Sequence, residues 1–123
     1  MSDKKRVLVV DDDAAVRVVA TEMLKSLGYD VEDAAGGVSA LARLDAVRDT
    51  AEAFAVVMLD VGMPGMSGVD VYLSLRADDE EQIVIFVTGY TEEEISEFRS
   101  AKTWVLAKPY SLKDLSQILE VVH

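Results

Sequence analysis

The sequence predicts an α/β fold in which one open, parallel, five-stranded sheet is doubly wound, with helices on both faces. Two observations carry that expectation. Four short apolar runs, Val7 to Val10, Phe54 to Leu59, Ile83 to Val87 and Trp104 to Ala107, are mostly rich in Val and Ile and lack strict alternation, as strands buried on both faces do. Between them lie segments whose apolar residues recur at helical spacing, giving the order βαβαβαβαβα, which calls for right-handed crossovers within a single sheet.

Val7 to Val10 is the first strand and stops at Asp11-Asp12-Asp13. Val16, Val19, Ala20, Met23, Leu24 and Leu27 then follow the i, i+3, i+4, i+7 rule, and Gly28 stands where a helix C′ glycine belongs. Tyr29 to Ala34 alternates Tyr29, Val31 and Asp33 against Asp30, Glu32 and Ala34, the pattern of a half-exposed edge strand. Val38, Leu41, Leu44 and Val47 predict a second helix after Gly36-Gly37. Val69, Tyr72, Leu73 and Arg76 predict a third, after the third strand and the turn from Pro64 to Gly68. Thr91 with Glu94 reads as a capping box opening a short acidic helix through Ile95 and Phe98. Ser111 with Asp114 opens a last helix carrying Leu112, Leu115, Ile118, Leu119 and Val122.

The 123 residues, half of them hydrophobic, suit one domain over 1–123 that buries roughly two thirds of its unfolded surface. Twelve basic and 23 acidic side chains give a formal net charge of −11, which argues against direct nucleic-acid binding or an anionic membrane and favours a cation or a basic protein face. Without cysteine there is no disulfide framework, thiolate zinc site or cysteine nucleophile. The one histidine, His123, is the last residue, which excludes a buried histidine base. No apolar run approaches the ~20 residues that span a bilayer, and Met-Ser-Asp-Lys-Lys-Arg leads into only four apolar residues, so a soluble, cytoplasmic protein is expected. The acidic stretches Asp78 to Glu81 and Glu92 to Glu94 read as solvated surface.

In open α/β sheets the ligand crevice lies beyond the carboxyl ends of the strands. Four apolar runs end in potential reactants: Asp11, Asp12 and Asp13 after the first, then Asp60, Thr88 and Lys108, whereas Tyr29 to Ala34 ends in nothing comparable. If those four strands are neighbours, the residues converge on one rim. Bare carboxylates there would repel by on the order of 4 kcal/mol per pair about 4 Å apart at an effective dielectric near 20. A hard cation resolves this: Mg²⁺ is held by one or two carboxylates and completes its shell with water and substrate phosphate. Asp60 is then both ligand and nucleophile toward phosphorus, with Thr88 and Lys108 on the phosphoryl oxygens.

Val7-Leu8-Val9-Val10-Asp11-Asp12-Asp13, Met58-Leu59-Asp60-Val61-Gly62-Met63-Pro64-Gly65-Met66-Ser67-Gly68, Val87-Thr88-Gly89-Tyr90 and Ala107-Lys108-Pro109-Tyr110 together resemble the four signatures of response regulator receiver domains, in order and across the chain. The resemblance implies a flavodoxin-like (βα)5 sheet of order 2-1-3-4-5. It implies Asp60 as phosphoacceptor, Asp11 and Asp12 as the acidic pair for Mg²⁺, the Gly62 backbone carbonyl as a further ligand, Thr88 as switch hydroxyl, Lys108 as phosphate-pairing cation, and a cis peptide before Pro109. It also implies a signalling module that catalyses only its own phosphorylation and autodephosphorylation. The phosphodonor would be a sensor histidine kinase or histidine phosphotransfer protein, and phosphorylation would shift an inactive/active equilibrium on the face around the fourth strand, the 91–98 helix and the fifth strand. The output partner, the cognate kinase and homodimerisation are left open.

Two features depart from the common receiver pattern. The position three before the lysine, often Tyr or Phe, is Val105, and alternation aims the adjacent Trp104 to the opposite face. The Thr88 to Lys108 segment is also slightly short, which together with Val-Thr-Gly-Tyr-Thr-Glu-Glu and Leu-Ala-Lys-Pro-Tyr-Ser is similar to receivers appended to hybrid sensor histidine kinases. Gly62 offers no side chain over an acyl phosphate. A haloacid-dehalogenase-like phosphatase using Asp11 and Asp13 is the enzymatic alternative, but it would need an acidic motif after Lys108, where only Asp114 and Glu120 occur, both within the last helical pattern. A receiver-like module that works without phosphorylation is the binding alternative.

Overall fold

The computed structural model describes residues 5–63, 65–89 and 102–122. Its strands are β1 (Arg6–Val10), β2 (Asp30–Ala34), β3 (Val56–Asp60), β4 (Ile83–Thr88) and β5 (Thr103–Ala107). The helices among the described residues are α1 (Ala14–Ser26), α2 (Gly37–Val47), α3 (Gly68–Asp78) and α4 (Leu112–Val122). All neighbouring strands pair in parallel, in the order β2-β1-β3-β4-β5. The helix expected over 91–98 lies outside the described residues.

Alternate residues of the central strands supply two separate cores, because successive side chains leave a strand on opposite faces. Leu8, Val10, Val57, Leu59, Val84 and Phe86 pack with Ala40 and Leu44 of α2 and Val71, Tyr72 and Leu75 of α3. Val7, Val9, Val56, Met58, Ile85 and Val87 pack with Ala20 and Leu24 of α1 and Leu115, Leu119 and Val122 of α4. Each fully buried large aliphatic side chain stabilises by about 1.5–3 kcal/mol, so the three central strands anchor the sheet. Tyr72 and Phe86 add a tilted ring pair with centroids 5.1 Å apart.

Strand order explains where burial departs from the sequence expectation. Trp104 to Ala107 does not form a strand buried on both faces: β5 is an edge, with Trp104 and Val105 half-buried and Ala107 exposed. Val105 does face the α2/α3 core and Trp104 the α1/α4 core, as alternation requires. The third strand starts later than its apolar run, at Val56, with Phe54 buried ahead of it.

Several helix faces are narrower or rotated. On α1 only Ala20 and Leu24 are fully buried, and Val19 is 54% exposed. On α2 the buried stripe runs Gly37, Ala40, Leu44 and Val47, leaving Val38 74% exposed. On α3 Val71, Tyr72 and Leu75 face inward and Leu73 does not. A residue with helical spacing can sit at the flank of its stripe, and only the packing partner decides whether it is covered.

The caps follow the sequence more closely. Gly28 has φ +95° after the end of α1, and its N–H donates to the Lys25 carbonyl. Ser111 and Asp114 exchange reciprocal hydrogen bonds at the start of α4. An unforeseen capping box opens α3, where Ser67 Oγ accepts from Asp70 N–H and the Asp70 carboxylate accepts from Ser67 N–H. Ser67→Ala should cost about 1 kcal/mol, measured by denaturant titration; an unchanged midpoint would show that the box is dispensable.

Candidate functional site

Register brings the strand ends level. Asp60 lies opposite Val87, one residue before Thr88, and Thr88 lies opposite Ala107, one residue before Lys108, whose N–H donates to the Thr88 carbonyl at 2.8 Å. Val10 pairs with Leu59, so Asp11 and Asp60 leave adjacent strands side by side. The conditional convergence expected from the sequence therefore holds for backbone position: Asp11, Asp60, Thr88 and Lys108 share the carboxyl rim of β1, β3, β4 and β5.

Carboxylate oxygens of Asp11, Asp12 and Asp60 all lie within 4.8 Å of one another. Asp11 and Asp60 are buried, 4% and 8% exposed, whereas Asp12 is exposed. The Lys108 ammonium bridges the buried pair, with Nζ 3.4 Å from Asp11 Oδ2 and 3.3 Å from Asp60 Oδ1. Gly62 N–H donates to Asp60 Oδ1 at 3.2 Å, and Gly62 is exposed, so nothing of its own covers the carboxylate. Thr88 is 1% exposed at the end of β4. The Lys108-Pro109 peptide is cis.

Charge in this cluster is incompletely balanced. Burial pushes the Asp11 carboxyl above its ordinary value; the Asp13 N–H opposes that, Asp60 adds to it, and Lys108 does not reverse it. Burial would lower the Lys108 ammonium, but Asp60 and Asp11 together outweigh it and hold the ammonium above its ordinary value. One ammonium thus faces two buried carboxylates, and burial still keeps the Asp11 carboxyl above its ordinary value. Such a donor set, all oxygen and short of positive charge, suits a hard divalent cation, for which Asp11, Asp12 and Asp60 would be the ligands.

Asp13 has a different task. Its carboxylate accepts from the N–H groups of Ala15 and Val16 and so caps α1, pointing the chain away from the rim. A phosphatase mechanism that needs Asp13 free as an acid is disfavoured by this engagement.

Two residues near the rim were not singled out by the sequence. Arg17 of α1 donates through Nη1 to the Asp11 carbonyl at 2.8 Å and through Nε to Asp33 Oδ2 at 3.0 Å. The end of β2, which offers no reactant of its own, therefore reaches the site through a salt bridge. An Arg one helical turn beyond an N-cap, with a carboxylate at the end of the neighbouring strand, was the available signal.

A family model for the response regulator receiver domain matches residues 7–120. The chain belongs to this family. Among curated relatives, the receiver is 36% identical over 122 residues to chemotaxis protein CheY1 of Helicobacter pylori, covering 95% of each. It is also 36% identical over 118 residues to sensor kinase CckA of Brucella abortus, where the match covers 94% of this chain but only 12% of that protein. Among solved structures, the receiver superposes with a TM-score of 0.81 on the response regulator TrrA of Thermotoga maritima in complex with Mg(2+)-BeF, at 27% identity over 97% of this chain and 99% of that one. Among the described residues, no helix of the receiver is long and apolar enough to cross a membrane.

Proposed function

We propose that this receiver is the phosphoacceptor of a two-component phosphorelay, a single domain over 1–123 working in the cytoplasm, and that Asp60 is the residue phosphorylated. The observation that carries this reading is the grouping of Asp60 with Asp11 and Asp12 within 4.8 Å while Lys108 bridges Asp11 and Asp60. An Asp60 carboxylate oxygen attacks phosphorus of a phosphohistidine in line; the P–O bond forms as the P–N bond breaks, and its electron pair leaves with the imidazole. Asp11, Asp12, Asp60 and the Gly62 backbone carbonyl would hold Mg²⁺, which when bound would supply charge neutralisation for the incoming phosphoryl group. Lys108 pairs with one phosphoryl oxygen and the Thr88 hydroxyl donates to another.

The donor is a sensor histidine kinase or a histidine phosphotransfer protein. An apolar groove lined by Val16, Val19, Met23, Pro109 and Tyr110 adjoins Lys108, which supports this: a donor protein can bury an apolar face there while its histidine reaches Asp60. The domain acts as a signalling switch that catalyses its own phosphorylation and hydrolysis, and phosphorylation shifts a pre-existing equilibrium between two states. The swinging aromatic common in receivers has no counterpart at Val105, so transmission from Thr88 relies on other side chains.

The test is incubation with Mg²⁺ and acetyl phosphate, followed by intact mass and peptide mapping. One phosphate on Asp60, absent in Asp60→Asn, is the expected result. Label on Asp11 would instead indicate phosphatase-type chemistry. No label on either, with a phosphohistidine donor also inactive, would overturn the reading.

A further inference from the structure

We propose that Arg17 is a positioning residue for the acidic pair, locked by Asp33 and acting through the backbone of Asp11; the inference rests on the Mg²⁺ reading above. Asp11 is buried just beyond the end of β1, at the rim where the acidic cluster lies. Four contacts hold it. Its N–H donates to the Ala34 carbonyl at 3.2 Å, its carbonyl accepts from Arg17 Nη1 at 2.8 Å, and its carboxylate accepts from Asp13 N–H at 2.9 Å and from Lys108 Nζ at 3.4 Å. The Arg17 bond is the shortest of the four, and it is charge-assisted.

Arg17 can hold that carbonyl because its own planar fork is fixed at the other end. Nε binds Asp33 Oδ2 at 3.0 Å, and the Arg17 side chain is only 17% exposed. The fork therefore clamps three elements, α1, the end of β1 and the end of β2, around the peptide that joins Asp11 to Asp12. Arg suits this where Lys does not, since one ammonium cannot present two donors in a fixed plane. Groups in this second layer set ligand orientation, and their loss commonly weakens metal binding by 10- to 100-fold.

Electrostatics alone predicts the opposite sign. Arg17 is a permanent cation beside the acidic cluster, so Coulomb repulsion says that removing it should tighten the binding of another cation. Positioning says that removing it should loosen that binding.

The experiment is isothermal titration of metal-free protein with Mg²⁺ at neutral pH and fixed ionic strength, for wild type, Arg17→Gln, Arg17→Lys and Asp33→Asn, with thermal midpoints recorded in parallel. The expected result is a Kd about tenfold weaker for Arg17→Gln and for the charge-conserving Arg17→Lys. Asp33→Asn, a change at a half-exposed side chain that keeps Arg17 in place, should be weakened less. Its effect should not add to that of Arg17→Lys in the double variant, because both break one clamp. Unchanged or tighter Mg²⁺ binding in both Arg17 variants, with wild type binding normally, overturns the positioning role whatever the midpoints do. Absence of Mg²⁺ binding by wild type overturns the metal reading and this inference with it. Should Arg17→Gln fail to fold, Arg17→Lys and Asp33→Asn decide the matter.

Discussion

Gly68→Ala is expected to destabilise the domain by about 1–3 kcal/mol and to impair the phosphorylation proposed for Asp60, although alanine is the better helix former. Gly68 is the first residue of α3 and is buried against the end of β3. A Cβ built there would stand 2.3 Å from the Asp60 carbonyl oxygen and 2.9 Å from both the Asp60 carbonyl carbon and the Val61 Cα. Those neighbours are backbone, so no side chain can turn aside; either α3 retreats or the Asp60 peptide shifts. Propensity would favour alanine by up to about 1 kcal/mol in a helix interior and by less at its first residue, so the clash decides the sign. Against a total stability on the order of 5–15 kcal/mol the loss is easily read from a denaturant or thermal midpoint. Gly62→Ala is the control: among the described residues its Cβ meets only Asp60 Oδ1, at 3.9 Å, and should leave the midpoint nearly unchanged. A Gly68→Ala domain as stable as wild type would mean that the approach of α3 to β3 does not constrain Asp60.

Asp11→Asn should move stability and metal response in opposite directions. The folded pKa of Asp11 lies above its ordinary value, chiefly through burial. Its contribution is therefore stabilising below the unfolded pKa and is lost as pH rises through the folded pKa, so at neutral pH the metal-free carboxylate is a net cost. Asparagine keeps the shape and can still accept from Asp13 N–H, while Lys108 retains Asp60 at 3.3 Å. Without Mg²⁺ the variant should melt higher; a gain on the order of 1 kcal/mol would be roughly 4 °C for a domain of this size. With Mg²⁺ at a hundred times its Kd, wild type should gain about 2.7 kcal/mol and the variant little. The advantage of Asp11→Asn over metal-free wild type should shrink as pH falls through the Asp11 pKa. A variant that melts lower than metal-free wild type at neutral pH, or that keeps the full Mg²⁺ response, would contradict this account of the site.

How far the sequence carried can be judged at particular residues. The strands were legible because four runs combine β-branched residues with abrupt polar ends, and the site was legible because Asp11, Asp60, Thr88 and Lys108 are those ends. Helix positions are legible from period and caps, yet Val19, Val38 and Leu73, which share those periods, are exposed. Periodicity reports which residues share a stripe; how wide a strip the sheet covers depends on the neighbouring helix. Phe54 and Trp104 show the same limit in strands, since an apolar run says neither where pairing starts within it nor whether it lies at the centre or the edge of the sheet.

The sequence by itself determined the α/β alternation, the family resemblance and the residue types available for chemistry, because each is written in local order: a run, a period, a cap, a motif. The tertiary structure alone decided that Lys108 bridges Asp11 and Asp60, and that Arg17 and Asp33 tie the second strand to the acidic pair. Those contacts join residues far apart in the chain across strand ends that register makes level. No local pattern encodes them, since a side chain's partner is set by which strands become neighbours and in what register, and that choice belongs to the whole sheet.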